Sequence, residues 1–185
     1  MSEDLLIVVD ERDGAIRPLA RAACHRGAGV LHRAFSIYLF DAQQRVLLQQ
    51  RSAQKPLWPL HWSNSCCSHP RWGEAIDAAA ERRLIEELGL HTPLRALFKF
   101  QYQAAFGPQG SERELCTVYV GAAEDVGTVN ADEVAAWQFV AAQELDRRIA
   151  ADSSAFTPWL LLAWARLRSE HWPEITALSQ ALPVR

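Results

Sequence analysis

Three histidines, His25, His32 and His69, and two carboxylates, Glu112 and Glu114, are the residues of this 185-residue chain whose types and spacing could hold a metal ion. Glu112 and Glu114 stand two apart in SERELC, and at strand spacing both side chains leave the same face. His25 and His32 lie upstream in a glycine-interrupted stretch, and His69 closes the run NSCCSHP (64–70) two residues after Cys67. Imidazole nitrogens and carboxylate oxygens together make a five-ligand set that suits Zn²⁺, Mn²⁺ or Fe²⁺. Each piece alone has a plainer reading: a lone histidine as a core or surface residue, a glutamate pair on a strand as a solvated edge.

A helix follows His69. Ile76, Ala80, Leu84 and Leu88 recur every four residues and Gly89 stands where a C-terminal cap belongs, which predicts a helix over 75–88. Arg83 and Glu87 share one face of it; from the helix alone, a surface ion pair explains them as well as a site does. LLIVVD (5–10), FSIYLF (35–40), RVLLQQR (45–51), LFKFQYQAA (97–105), ELCTVYVG (114–121) and AAWQFV (135–140) read as strands. Residues 41–44 are of hairpin length between the second and third. The stretch 20–33 reads as loop, and 52–74 as one long loop of the kind that carries function. Thr157-Pro158 opens a last helix over 158–172. This order predicts a single α+β domain, a mixed β-sheet sandwiched by helices. Within it, residues 1–33 form an N-terminal strand and ligand-bearing arm, 34–165 the core, and 166–185 a helix end and tail.

Composition excludes several classes. A net charge of −3 lacks the basic surface that nucleic acid demands, so no nucleic-acid partner is expected. No apolar run reaches the roughly 18 residues needed to span a membrane. The N-terminus, MSEDLLIVVDERDG, is acidic before its apolar stretch and has no basic n-region, which argues for a cytoplasmic protein. Four cysteines, two of them adjacent, make no disulfide framework and fit a reducing compartment. Cys24 and Cys116 read as small core residues, and His61, His91 and His171 as structural or surface groups. Glu124-Asp125 and Asp132-Glu133 read as solvated loop ends.

Glu74, seven further residues and then Arg82-Arg83-Leu84-Ile85-Glu86-Glu87-Leu88-Gly89-Leu90 follow the spacing of the Nudix box, a loop–helix–loop whose helical glutamates hold Mg²⁺ against a diphosphate. Ser68 stands where the box opens on glycine, and Arg83 where Nudix hydrolases carry a glutamate of the catalytic metal set. A cation there argues against pyrophosphate hydrolysis. His25 and His32, Arg51-Ser-Ala-Gln-Lys55, Trp58 through His69-Pro70, Tyr102, Glu112-Arg-Glu114 and Phe156-Thr-Pro-Trp159 complete a pattern that resembles the type I isopentenyl-diphosphate isomerases over roughly residues 5–165.

The resemblance implies a Nudix-like fold that moves a double bond, from isopentenyl to dimethylallyl diphosphate, by protonation at C4 and loss of a proton from C2. It implies that His25, His32, His69, Glu112 and Glu114 bind one divalent metal, Mn²⁺ or Zn²⁺, and that Glu87 and Cys67 belong to a Mg²⁺ site. Cys67 and Glu114, the latter with Tyr102, would be the proton-handling pair, nearby cations favouring the Cys67 thiolate. Trp159, with Trp62 as a second candidate, would face the carbocation. Arg21, Arg51, Lys55, Ser68 and Arg83 would hold the diphosphate. The aromatic-rich residues 56–74 and the N-terminal arm are the candidate lid. The expected partner is a small prenyl diphosphate, for a monomer or homodimer. Two rivals remain: a Nudix hydrolase of nucleoside or prenyl diphosphates, and a non-catalytic metal- or diphosphate-binding module.

Overall fold

The computed structural model describes residues 4–180, so residues 181–185 of the expected tail lie outside the described residues. Among them run β1 (Leu5–Val9), β2 (Ala15–Ala20), α1 (Arg21–Cys24), β3 (His32–Phe40), β4 (Arg45–Arg51), β5 (Trp62–Ser63), β6 (Cys66–Ser68) and α2 (Ile76–Leu88). Then follow β7 (Leu94–Ala105), β8 (Ser111–Ala122), β9 (Val134–Ala141), α3 (Ala142–Ala151), α4 (Pro158–Glu170) and α5 (Trp172–Gln180). The expected α+β sandwich is what forms.

Strand β3 organises the sheet. One edge pairs in parallel with β8 from His32↔Glu114 to Phe40↔Ala122. The other edge meets β1 at His32, β6 at residues 35–37 and β4 at Phe40. β7 extends the sheet antiparallel to β8, and β9 lies antiparallel to β4.

Side chains alternate between faces, so this register assigns each residue a side. Phe35, Ile37 and Leu39 of β3, with Cys66 and Tyr119 opposite Ile37, pack on Ala79, Ala80, Leu84 and Leu88 of α2. The four-residue repeat read as a helix is therefore the apolar stripe of α2. Its end is set at Gly89 (φ +62°), where a Cβ would come within 2.5 Å of the Thr128 amide nitrogen. Tyr38 and Phe40, with Val118 and Val120, pack on Leu160, Trp164 and Leu167 of α4.

Several connections differ from expectation. β3 and β4 share a single pair, Phe40↔Val46, rather than a hairpin ladder. The turn itself is tight, with Asp41 accepting from the amides of Gln43 (3.0 Å) and Arg45 (2.8 Å). Beyond it the strands part because residues 64–66 wedge between them. Ser65 Oγ accepts from the Leu39 amide (2.8 Å) and donates to the Leu47 carbonyl (2.7 Å). Asn64 Nδ2 donates to the carbonyls of Ile37 (3.1 Å) and Cys66 (2.7 Å). Two side chains thus replace the missing ladder, and the long loop contains β5 and β6. The stretch 20–33 includes the short helix α1 and the start of β3, and the final helix is broken at His171 into α4 and α5.

Both Asn64 and its acceptors are buried, so Asn64→Ala strands two carbonyls without a donor. We expect a loss of about 2 kcal/mol or more in unfolding free energy by urea titration. An unchanged midpoint would mean that the wedge does not hold β3 and β4 apart.

Candidate functional site

The site occupies the face of β3 that carries His32, Ala34 and Ser36. Glu114 lies opposite His32, Tyr102 opposite Glu114 in β7, and Cys67 opposite Ser36 in β6, so all three side chains share that face. Cys66, one residue away, turns into the α2 core instead, which separates the roles of the two adjacent cysteines. Cys24 and Cys116 are buried and unpaired.

His25, His32, His69, Glu112 and Glu114 come from four segments, yet one ligand atom of each lies within 4.8 Å of the others. His25 caps α1, its carbonyl accepting from the Ser111 amide at 2.9 Å. A Cβ at Gly110 (φ +149°) would come within 2.4 Å of that oxygen, so glycine there allows the arm to close on β8. The three imidazole centroids stand 4.7–5.2 Å apart. His32 Nδ1 donates to the Val30 carbonyl (2.7 Å), which leaves Nε2 bearing the lone pair.

The donor set fits a divalent cation on these grounds. His32 Nε2, His25 Nε2 and Glu112 Oε2 are all buried without a hydrogen-bond partner. The last two approach to 2.8 Å but are not aligned to bond each other. Buried groups left this way need a partner that no side chain supplies.

Electrostatics agree. Burial drives the His32 imidazole down to about 4 and His69 well below its usual value, so both are neutral donors. Two adjacent carboxylates do not both stay charged easily. Burial, and then the charge of Glu112, push Glu114 well up, whereas burial of Glu112 is overcome by His25, His32 and Glu114 acting together, which hold its carboxyl low. Glu114 Oε2 accepts from the Tyr102 hydroxyl (2.7 Å), and Oε1 lies 2.8 Å from His69 Nε2.

A cavity of about 360 Å³ opens beside this cluster. Cys67, Tyr102, Glu114 and Trp159 line it, as do Arg21, Arg51, Lys55 and Ser68. Arg51 donates to the carbonyls of Leu57 (Nη2, 2.9 Å) and Trp58 (Nε, 3.0 Å), reaches to 3.8 Å from Cys67 Sγ and stacks 5.2 Å over the Trp159 ring. Trp159 Nε1 donates to Ser63 Oγ at 3.0 Å. Ser68 Oγ is buried with no partner. The nearby cations do not make Cys67 a thiolate: burial outweighs Arg51 and raises its thiol to about 11.

Of the residues singled out in the sequence, His32, Arg83 and Glu87 stay outside the cavity lining. His32 is fully buried, with the other four residues of the cluster between it and the cavity. Arg83 donates to Glu86 (2.8 Å), Glu87 (2.5 Å) and Glu133 (2.9 Å), and Glu87 also accepts from Gln49 at 3.2 Å. Trp62 packs into the α4 core and not into the cavity. Sequence reasoning missed Glu133, read as a solvated loop end. It bridges Lys55 and Arg83, which overcome the effect of burial and bring its carboxyl down to about 2. It also missed Arg26 and Gln109, which complete the cavity wall. Of the histidines set aside, His61 bonds the Pro59 carbonyl (2.8 Å) and His171 stacks on Phe98.

Residues 30–160 match the NUDIX domain family model. A crystal structure of a Deinococcus radiodurans protein gives a TM-score of 0.72 at 23% identity, covering 88% of this chain and 98% of that one. The MutT NUDIX hydrolase from Burkholderia pseudomallei gives 0.58 at 19%, covering 74% and 98%. These likenesses speak to the fold, and fold and domain match together define the class: a Nudix-domain protein whose box helix backs a buried His/Glu cluster. Sequence relatives are more specific. An isopentenyl-diphosphate Delta-isomerase from Serratia proteamaculans is 39% identical over 178 residues, covering 95% of this chain and 99% of the relative. One from Nocardia farcinica is 44% identical over 154 residues, covering 83% and 88%. The chain belongs to the isopentenyl-diphosphate Delta-isomerase family.

The neutral imidazoles give the metal-free protein a defined acid response. Unfolding frees His32 and His69 to take up protons below the ordinary value of 6.5. Because the folded-state value of His32 is depressed, the unfolded chain binds more protons between 6.5 and about 4. Unfolding free energy should therefore fall as pH drops through that window, and less steeply in His32→Gln. Urea titrations across it measure this, and equal slopes for the two proteins would contradict the assignment.

Proposed function

We propose that the chain interconverts isopentenyl and dimethylallyl diphosphate, moving a carbon–carbon double bond without net redox change. The observation that carries this reading is the meeting of a thiol, Cys67, and a tyrosine-bonded carboxyl, Glu114, in one cavity walled by Tyr102 and Trp159. An unactivated alkene is a weak base, so a positioned acid must protonate C4 and a second group must take the proton from C2. Cys67 and Glu114 with Tyr102 serve as that pair. The Trp159 ring, fixed by its bond to Ser63, would present a π face to the tertiary cation at C3. Leu57 and Pro56, from the aromatic-rich loop, and Ala22, from the N-terminal arm, line the same cavity and would exclude water that traps the cation.

For the diphosphate we assign Arg21, Arg51, Lys55 and Ser68, which offer cationic donors and an unpartnered hydroxyl to the cavity. Arg83 shares the Glu133 carboxylate with Lys55 but stands outside the cavity lining, so contact with the diphosphate would require it to leave its carboxylate partners. For the metal of the His/Glu cluster we assign Mn²⁺ or Zn²⁺, which would supply positive charge that keeps Glu114 an ionised partner of the Tyr102 hydroxyl. Glu87 and Cys67 are assigned to Mg²⁺; both Glu87 oxygens are engaged by Arg83 and Gln49, so that role requires one of them to give way. Four unpaired cysteines support a reducing, cytoplasmic setting.

A proton NMR time course in D₂O with isopentenyl diphosphate and Mg²⁺ should show dimethylallyl methyl signals and deuterium uptake, both lost on chelation. Cys67→Ala and Glu114→Gln should each lower kcat by about 10²–10⁴-fold. Release of pyrophosphate or phosphate would favour the hydrolase reading, and no change in any signal the binding module.

A further inference from the structure

We propose that Glu133 is a positioning residue of this isomerase, acting through Lys55 and Arg83 to hold the cationic side of the cavity in its working geometry; this rests on the reading given under Proposed function. Three separate segments meet at its carboxylate. Lys55 belongs to the turn after β4, Arg83 to α2, and Glu133 itself precedes β9. Its two oxygens divide the work: Oε2 takes the Lys55 ammonium and Oε1 the Arg83 guanidinium at 2.9 Å.

The backbone around Glu133 is built to keep it there. The Ser52 amide donates to the Glu133 carbonyl (3.0 Å), the Asn130 amide to the Glu87 carbonyl (3.0 Å) and the Gly127 amide to the Leu88 carbonyl (2.9 Å). Residues 127–134 are thereby tied both to the turn that carries Lys55 and to the end of the helix that carries Arg83 and Glu87. Lysine has a flexible four-carbon stem, so an anchored carboxylate restricts where its ammonium can stand.

Arg83 supplies the second reason. Its donors are spread over Glu86, Glu87 and Glu133, and its Nε is buried with no partner. Glu86 is the most exposed of the three carboxylates, and Glu87 is the one proposed to turn to a cation. When Glu87 does so, Glu133 is the partly buried anion that keeps Arg83 paired. It also keeps the guanidinium from swinging toward the incoming carboxylate–cation pair.

The test compares Glu133→Gln, Glu133→Asp and Lys55→Met, alone and as the Glu133→Gln/Lys55→Met double variant, by steady-state isomerisation of isopentenyl diphosphate and by thermal unfolding. Glutamine keeps the shape and removes the charge, so kcat should fall about tenfold or more with KM changed less than about threefold. Aspartate should lie between glutamine and wild type. The loss from Glu133→Gln should shrink when Lys55 is already methionine, because the two act as a unit. A merely structural role would lower the melting temperature and leave kcat of the folded enzyme unchanged. Wild-type kcat in folded Glu133→Gln, with or without a lower KM, overturns the inference; if glutamine does not fold, wild-type kcat in Glu133→Asp overturns it. If the wild-type protein itself does not isomerise the substrate, it is the functional reading that fails.

Discussion

The parallel pairing of His32 with Glu114 is the constraint on which the site depends. Once those two stand opposite each other, alternation sends the even-numbered residues of β3, their β8 partners and Tyr102 to one face, and Phe35, Ile37 and Leu39 to the other. The second face is the floor for α2, where Phe35, Ile37 and Leu39 meet its apolar stripe. A slip of one residue would drive Glu114 into that floor and lift Leu115 into the cavity, so core burial itself enforces the placement of His32 and Glu114. The same parity decides between Cys66 and Cys67. Adjacent in sequence, they fall on opposite faces of β6, one in the core and one in the cavity.

The register alone would not bring Cys67 to the site, because β3 and β4 would otherwise continue as a hairpin and leave no room for β6. Asn64 and Ser65 prevent this by offering side-chain donors and acceptors where backbone partners would stand. The neighbouring Ser63 extends the network upward: its hydroxyl meets Thr157, donates to Asn64 and accepts from Trp159. A buried polar chain of this kind adds little net stability per bond, but leaving any member unpaired is expensive, so it specifies one arrangement strongly. Through it, the first turn of α4 is fixed relative to β5 and β6.

What could be read from the sequence, and what could not, follows the range of the interactions. The α2 stripe and its Gly89 cap are local and periodic, and both were legible. That three histidines and two carboxylates spread over residues 25 to 114 belong together as a candidate metal site was legible from residue chemistry, and the fold brings one candidate atom of each within 4.8 Å of the others. Strand β2 and helix α3 were missed: β2 is mostly exposed and includes Pro18, and α3 follows β9 without a break. The parting of β3 from β4 depends on Asn64 and Ser65, side chains some two dozen residues away, and no local pattern announces it. In the sequence Glu133 reads as a solvated loop end for the same reason. Its acidity and turn-like surroundings suit solvent, and only the fold reveals the two cations it meets.

The strain of this design sits where the chemistry is. Buried polar atoms without partners include His25 Nε2, His32 Nε2, Glu112 Oε2, Ser68 Oγ and Arg83 Nε, all in or beside the site. Apolar side chains of similar volume at these positions would remove the desolvation burden and stabilise the fold. The Val30 carbonyl fixes the His32 ring through Nδ1, and the Glu133 carboxylate takes one arm of the Arg83 guanidinium, so neither group is free to turn in search of a partner for its remaining nitrogen. The rest of the molecule, with its two well-packed faces on either side of β3, is what makes that arrangement affordable. A less rigid scaffold would let His32 turn toward Glu114, 3.9 Å away, and close the cluster on itself.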